Sequence, residues 1–155
     1  MTTIKSQSPE ETKKIATKIL DALLADKTKA GTSTIIALKG ELGAGKTLFA
    51  KGVAEHLKIE KVVTSPTFVI EKLYDIPEGY PWNTLVHIDA YRLEDEEELS
   101  AIDWNTIATN PKNLILIEWP EQVGRGVPQR AYTVEFDVID EQTRNIQIPE
   151  QFNIE

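Results

Sequence analysis

Apolar residues at helical spacing open the chain, and shorter apolar runs of strand length follow them. The early apolar positions share one helix face: Ile15, Ile19, Ala22 and Leu23. Ser8 is placed to cap this helix, with Pro9 in its first turn and Glu11 positioned as in a capping box. The pattern predicts a helix that starts at residue 9 and ends near residue 24 or 25.

Apolar runs of strand length predict a sheet in the rest of the chain. Three continuous runs predict buried strands, at residues 34–39, 85–89 and 114–118. Residues 68–74 alternate loosely and predict a further strand, and the acidic stretch 94–107 is helix-prone. Residues 131–139 and 144–148 predict a closing hairpin with its turn at 140–143.

A glycine-rich motif follows the first buried strand. The sequence GELGAGKT at residues 40–47 fits G-x-x-x-x-G-K-[ST], and residues 48–57 after it are helix-prone. Glycines let backbone N–H groups point at phosphate oxygens, and a helix N-terminus adds partial positive charge. Lys46 is expected to reach the β- and γ-phosphates and the Thr47 hydroxyl to ligate Mg²⁺. The flanking strand and helix disfavour the alternative, a glycine-rich loop with an incidental lysine.

The motif and the order of elements together predict the fold class. Helices and strands alternate early and strands pair late, which is typical of an α/β protein with a mixed sheet. We expect a P-loop NTPase-like sandwich with a mixed, partly parallel central sheet and a C-terminal β-hairpin. A chain of 155 residues is of the size of one domain, so residues 1–155 are predicted to form a single P-loop ATPase domain.

Two acidic residues end predicted buried strands. Asp89 closes the strand at 85–89, and Glu118 closes the strand at 114–118. Ligands of open α/β sheets bind at the carboxyl ends of strands, so both acids are candidates to hold Mg²⁺ directly or through water. The alternative for each is a solvated acid at a strand end.

Thr67 and His87 are weaker candidates. Thr67 lies in the sequence SPTF at 65–68, where GTPases carry a switch threonine that senses the γ-phosphate, and a turn threonine is the alternative. His87 lies inside a predicted strand, two residues before Asp89, and is predicted to be a packed core histidine rather than a catalyst.

Charge and composition exclude or disfavour several kinds of partner and of chemistry. The chain has 17 Lys plus Arg and 25 Asp plus Glu, a net charge of −8, which disfavours an independent role in binding nucleic acid. It has no cysteine, so thiol catalysis and disulfides are excluded. No apolar run approaches the length of a membrane span, and residues 1–6 lack the apolar core of a signal peptide. We expect a cytoplasmic protein with no membrane partner.

The motifs of other phosphate-loop proteins fit less well. A small GTPase needs Asp-x-x-Gly, but Asp89 is followed by Ala-Tyr-Arg, and NPKN at 110–113 is a poor match to the guanine motif. A small-molecule kinase remains an alternative, since the basic segment 124–130 could act as a short lid. A nucleotide-dependent assembly factor without turnover is a further alternative.

Four sequence blocks together resemble the bacterial TsaE family. They are GELGAGKT at 40–47, SPTF at 65–68, HIDAYRL at 87–93 and EWPE at 118–121. The resemblance runs from residues 8–12 to Arg144, and it implies an ATPase of tRNA threonylcarbamoyladenosine synthesis. The family works with the TsaB–TsaD pair, in which TsaD modifies the tRNA, so this chain is expected to meet tRNA only indirectly. ATP and Mg²⁺ are the expected cofactors, with slow turnover in the absence of partners.

The resemblance and the motif together give the expected site residues. Nucleotide binding is assigned to Thr12, Glu41, Leu42, Gly43, Ala44, Gly45, Lys46, Thr47 and Arg144. The magnesium ligands are expected to be Thr47, Glu118 and Asp89. The catalytic residues are expected to be Lys46, Asp89 and Thr67. Trp119 is a candidate to link the site to the partners, and ordinary packing beside a strand end is the alternative. The chain departs from the family at Ser100 and Thr143, where glycine is frequent, and over residues 103–113; Arg144 is therefore a weak assignment.

Overall fold

A seven-stranded mixed sheet forms the centre of the protein in the computed structural model, which describes residues 1–26, 31–61, 63 and 71–152. The strands are β1 (Thr2–Ser6), β2 (Thr34–Gly40), β3 (Glu71–Asp75), β4 (Thr84–Asp89), β5 (Asn113–Glu118), β6 (Tyr132–Val138) and β7 (Arg144–Ile148). The α-helices are α1 (Pro9–Ala25), α2 (Lys46–His56) and α3 (Trp104–Thr109). Short 3₁₀ helices span Glu96–Ile102, Pro120–Gln122, Gly124–Gly126 and Glu150–Phe152.

The strand order is β1-β7-β6-β2-β5-β4-β3. The four central strands β6, β2, β5 and β4 run parallel to one another, whereas β3, β7 and β1 pair antiparallel with their neighbours. The predicted α/β class, the mixed and partly parallel sheet and the C-terminal hairpin are thus confirmed. The parallel arrangement places the ends of β2, β4 and β5 at one edge of the sheet.

The first strand was not anticipated by the sequence pattern. Residues 2–6 pair antiparallel with β7, and Ile4 lies opposite Ile146. Ile4 is the only large apolar residue that this short strand packs against the core. Five residues with one partly buried apolar side chain carry too little alternation to predict a strand, and the strand that pairs with them lies at the other end of the chain.

The predicted first helix is confirmed as α1, including its cap. The Ser8 side chain accepts a hydrogen bond from the Glu11 N–H at 3.2 Å. The Glu11 carboxylate accepts one at 2.5 Å from the N–H of Gln7, the residue before the cap, rather than from Ser8 itself. Both contacts satisfy backbone donors at the start of the helix.

One other element differs from prediction, and one is described only in part. The acidic stretch 94–107 is not one helix: a 3₁₀ helix ends at Ile102, Asp103 follows with a left-handed φ of 57°, and α3 starts after it. Burial of Leu99 beside Gly126 holds the 3₁₀ helix in place, a tertiary contact that helix propensity does not report. The strand expected at 68–74 is described only from Glu71, because residues 64–70 lie outside the described part of the chain.

The sheet separates two apolar cores. Ile36 and Leu38 of β2 pack on the face that carries α1 and α2. Ile35 and Ala37, which alternate with them, pack on the face that carries Leu99 and α3. Burial on both faces explains why the central strands are continuous apolar runs. Among the described residues, no helix is both long enough and apolar enough to cross a membrane.

Helices α1 and α2 approach each other closely at Gly52. A Cβ atom at Gly52 would lie 2.9 Å from Lys13 Cα and 3.0 Å from the Lys13 carbonyl oxygen. Lys13 Nζ also forms a salt bridge of 2.9 Å with Glu55 of α2. The absence of a side chain at Gly52 therefore sets the distance between α1 and the helix that follows the glycine-rich motif.

Replacing Gly52 by alanine should destabilise the protein. The added methyl group meets backbone atoms of α1, which cannot move aside as a flexible side chain can, so the overpacking cost should lie near about 3 kcal/mol, offset by about 1 kcal/mol of better helix propensity. The net loss of about 2 kcal/mol should lower the melting temperature by about 4 to 8 °C, measured by circular dichroism. Lys14→Ala, on the exposed side of α1, is the control and should melt close to the wild type. An unchanged melting temperature for Gly52→Ala would show that the helices can separate at no cost.

Candidate functional site

The glycine-rich loop joins β2 to α2 in a conformation that its glycines permit. Gly43 and Gly45 have positive φ values of 78° and 111°, a region that L side chains rarely adopt. Gly45 is the N-cap of α2 and supplies no side-chain hydrogen bond to the helix. The N–H groups of the first turn of α2 are thus not capped by a side chain, as in helix N-termini that bind anions.

Contacts with β6 hold the glycine-rich loop in place. A Cβ atom at Gly40 would lie 2.9 Å from the Phe136 carbonyl oxygen, so only glycine fits there. Phe49 of α2 contacts Phe136 edge to face, with ring centroids 5.8 Å apart. These contacts hold both the start of the loop and the start of α2 against the same strand.

Lys46 is buried at the first position of α2, with 4% of its surface exposed. Its Nζ donates a 2.6 Å hydrogen bond to the Gly40 carbonyl and lies 4.0 Å from the centroid of the Trp119 ring. Burial lowers the pKa of Lys46, and the nearby carboxylates of Glu118, Asp89 and Glu121 oppose this shift. The ammonium group therefore lies inside a negatively charged environment, within the curve of the loop.

Asp89 and Glu118 face each other as register partners at the ends of β4 and β5. Glu118 is 3% exposed, whereas Asp89 is partly exposed. Asp89 Oδ1 accepts a 2.9 Å hydrogen bond from the Tyr91 N–H. Burial raises the pKa of Asp89 and the Glu118 charge adds to the rise, while the Tyr91 N–H and the positive charge of Lys46 oppose it.

An open pocket of about 210 Å³ brings these groups together. It is lined by Leu42, Gly43, Gly45, Lys46, Thr47, Leu48, Asp89, Glu118 and Trp119. The pocket unites the loop, the two acids and the tryptophan that follows Glu118, although they are far apart in sequence. Its position at the carboxyl ends of β2, β4 and β5 is where ligands of open α/β sheets bind.

Three further predicted residues lie around the loop. Thr12 is buried and its Oγ1 lies 2.8 Å from Ser6 Oγ, while its methyl group lies 3.8 Å from the position of a Cβ at Gly45. Arg144 Nη2 donates a 3.0 Å hydrogen bond to the Gly43 carbonyl. Glu41 is exposed on the loop and its carbonyl accepts a 3.1 Å hydrogen bond from the N–H of buried Ala44. Thr67 lies outside the described residues.

Sequence reasoning placed His87 in the core but missed its polar contact. His87 is fully buried, as predicted, and its Nε2 lies 2.7 Å from Glu118 Oε2. The sequence did contain a sign that His87 lies near the strand-end acids. His87 comes two residues before Asp89, and residues i and i+2 of a strand share a face. Ser6, the partner of Thr12, was also missed.

The pocket's oxygen donors suit a magnesium ion. Asp89, Glu118 and the Thr47 hydroxyl supply two carboxylates and one neutral oxygen, and Mg²⁺ in nucleotide sites is usually held by one or two carboxylates together with phosphates. The buried ammonium of Lys46 adds a cation beside the uncapped helix start. This donor set therefore fits a nucleotide phosphate with its metal.

Comparison with known proteins identifies relatives along almost the whole chain. Residues 6–146 match the model of the family described as threonylcarbamoyl adenosine biosynthesis protein TsaE. The chain is 40% identical to the Bacillus subtilis (strain 168) tRNA threonylcarbamoyladenosine biosynthesis protein TsaE over 125 residues, 79% of this chain and 68% of that protein. It is 33% identical to the Aquifex aeolicus (strain VF5) protein of the same name over 92% of this chain and 91% of that protein.

A solved structure shares the fold. The crystal structure of Bacillus subtilis YdiB matches this chain with a TM-score of 0.67 and 29% sequence identity, covering 95% of this chain and 83% of that chain. The four sequence blocks that resemble the TsaE family all lie inside the matched residues 6–146. The chain belongs to the TsaE family, whose members take part in tRNA threonylcarbamoyladenosine biosynthesis.

Proposed function

We propose that this protein binds MgATP and hydrolyses it to drive or reset the TsaB–TsaD complex. The observation that carries the proposal is the convergence of Lys46, Thr47, Asp89 and Glu118 on one pocket at the carboxyl edge of the parallel strands. A glycine-rich loop, a buried lysine and two strand-end acids are the parts that phosphoryl transfer requires for positioning and charge stabilisation.

The loop would hold the triphosphate through its backbone and Lys46. The N–H groups of residues 43–47 are presented by the left-handed glycines and the start of α2. Lys46 Nζ would exchange the Gly40 carbonyl for β- and γ-phosphate oxygens. Arg144, tied to the loop through Gly43, brings a second positive charge to its outer side.

Thr47 and Glu118 would hold the magnesium ion, with Asp89 beside them. Both carboxylates border the same pocket, and Glu118 is the more buried. Bound Mg²⁺ would neutralise charge on the β- and γ-phosphates. The Thr47 hydroxyl lies on the first turn of α2, next to Lys46, so one turn of helix serves both the metal and the phosphates.

Asp89 would orient the attacking water and accept its proton. Its Oδ1 is occupied by the Tyr91 N–H, which leaves Oδ2 for water. The raised pKa of Asp89 brings the carboxylate closer to the range of an effective general base. Water oxygen would attack the γ-phosphorus, the bond to the bridging oxygen would break, and ADP and phosphate would leave. We expect slow basal turnover because the described pocket lining includes no arginine, a group that can supply about 10³–10⁵ in rate.

The small-molecule kinase alternative loses its structural support. The basic segment 124–130, which that alternative would use as a lid, is packed against the protein, since Trp104 Nε1 donates a 2.8 Å hydrogen bond to the Gly126 carbonyl. Arg130 donates hydrogen bonds to the Ser33 and Ala108 carbonyls, near the start of β2 and away from the pocket. A segment with these contacts is not placed to close over a nucleotide.

The charge of the chain supports a protein partner for tRNA rather than direct binding. A net charge of −8 opposes contact with a phosphate backbone. A TsaB–TsaD pair would then hold the tRNA while this chain supplies the nucleotide cycle, and the setting would be the cytoplasm.

Lys46→Ala should weaken nucleotide binding. Loss of a charge-assisted hydrogen bond costs about 1.5–3 kcal/mol, which corresponds to about 10- to 100-fold in affinity for ATP or ADP. Isothermal titration calorimetry in the presence of Mg²⁺ measures the change. Lys51→Ala, which removes a lysine from the same helix outside the pocket lining, should bind as the wild type does. Equal affinity in Lys46→Ala and wild type would contradict the proposed phosphate contact.

Asp89→Ala should separate turnover from binding. Removal of a positioned general base lowers the rate of phosphate release by about 10²–10⁴, while nucleotide affinity stays within about threefold, because the ground-state phosphate contacts remain. Phosphate release and nucleotide titration are measured on the same protein. Asp75→Asn, at the exposed end of β3, is the control. Normal turnover in Asp89→Ala would remove this residue from the mechanism.

Association with the TsaB–TsaD pair should depend on nucleotide. We expect the purified pair to retain the wild-type chain in a pull-down with Mg²⁺ and ATP, and to retain less of Lys46→Ala, because only the former is loaded. Phosphate release is measured in the same mixture. ATP-dependent assembly without phosphate release would instead support an assembly factor, and assembly that ignores nucleotide would contradict the coupling.

A further inference from the structure

A buried histidine–glutamate pair lies beneath the pocket. His87 is 0% exposed and Glu118 is 3% exposed, and His87 Nε2 lies 2.7 Å from Glu118 Oε2. In the parallel pairing of β4 and β5, His87 is the register partner of Leu116, so the hydrogen bond runs diagonally to the residue two positions further along β5. The contact therefore links the inside of one strand to the acid at the end of the next.

The chemistry of the pair fixes which atom donates. A carboxylate offers only acceptor oxygens, so His87 Nε2 must carry the hydrogen. His87 Nδ1 is buried and has no hydrogen-bond partner among the described residues. When Nε2 donates to Glu118, Nδ1 is the ring nitrogen left without a partner in the described part of the chain, and a buried acceptor without a partner is more readily accommodated than a buried N–H without one.

We propose that His87 is a positioning residue that orients the Glu118 carboxylate for the magnesium ion. By holding Oε2, the imidazole stops rotation of the carboxylate and leaves Oε1 for the pocket that Glu118 borders with Thr47. Carboxylates that ligate metals are themselves hydrogen-bonded by outer partners, whose loss typically weakens metal binding or activity. The inference rests on the proposed MgATP site.

The surroundings favour this role over simple packing. Apart from this histidine and the two strand-end acids, the residues of β4 and β5 on this face are apolar, namely Leu85, Leu114 and Leu116. An apolar side chain at 87 would pack there without leaving Nδ1 unsatisfied. The ring nitrogen of His87 that has a partner contacts Glu118. The presence of a histidine here is therefore explained by its orientation of the Glu118 carboxylate.

Two substitutions at position 87 test the proposal. His87→Gln keeps an N–H donor near the place of Nε2, whereas His87→Leu removes it and preserves an apolar core. ADP binding is titrated by calorimetry at graded Mg²⁺ concentrations and again with EDTA. We expect His87→Leu to need about 10- to 100-fold more Mg²⁺, with metal-free ADP affinity unchanged, and His87→Gln to recover most of the loss. Ser33→Ala, which removes a buried hydrogen bond to the Ala108 carbonyl at the opposite end of the sheet, controls for loss of stability.

Each outcome of these measurements either supports the role of His87 or overturns it. Wild-type Mg²⁺ dependence in folded His87→Leu overturns the inference, and so does an equal loss of ADP affinity with and without metal, which indicates a structural role only. Failure of the wild type itself to bind Mg²⁺ and ADP overturns the proposed function and this inference with it. If His87→Leu does not fold, ¹⁵N NMR of the wild type decides: a proton on Nε2 whose signal shifts in Glu118→Gln supports the pair, and a proton on Nδ1 overturns it.

Discussion

Parallel pairing of β2 with β5 on one side and β6 on the other is the constraint on which the site depends. It brings Gly40 to the Phe136 carbonyl, at a distance that excludes any side chain, and sets Glu118 level with Leu38. The glycine-rich loop thus begins from a fixed point beside a fixed acid. Apolar residues on both faces of these strands supply the burial that keeps the pairing in register.

Charge in the pocket is arranged around a single buried ammonium group. Lys46 is surrounded by Asp89, Glu118 and Glu121, and it is held by the Gly40 carbonyl and the face of Trp119. Burial weakens the charged form of both Lys46 and Asp89, while their mutual attraction supports it. A site in this condition gains from a ligand that brings phosphate to the lysine and a divalent cation to the acids.

Much of this protein could be predicted from local sequence because the signals were local. The glycine-rich motif needed only its flanking strand and helix, and the ends of two apolar strands marked Asp89 and Glu118 as neighbours. The first strand, the break at Asp103 and the contact between His87 and Glu118 could not be predicted in the same way. Each depends on a partner distant in the chain: Ile146 for Ile4, Gly126 for Leu99, and β5 for β4.

The sequence by itself therefore determined the α/β class, the glycine-rich loop and the family, because hydrophobic periodicity and contiguous motifs can be recognised without knowledge of the tertiary structure. Only the tertiary structure decided which groups meet. It places Arg144 within hydrogen-bonding distance of the Gly43 carbonyl and packs the basic segment 124–130 against the protein. It also brings the buried His87 into contact with Glu118. The physical reason is that hydrogen bonds between strands depend on register and on the side chain's face, and neither is encoded within one segment.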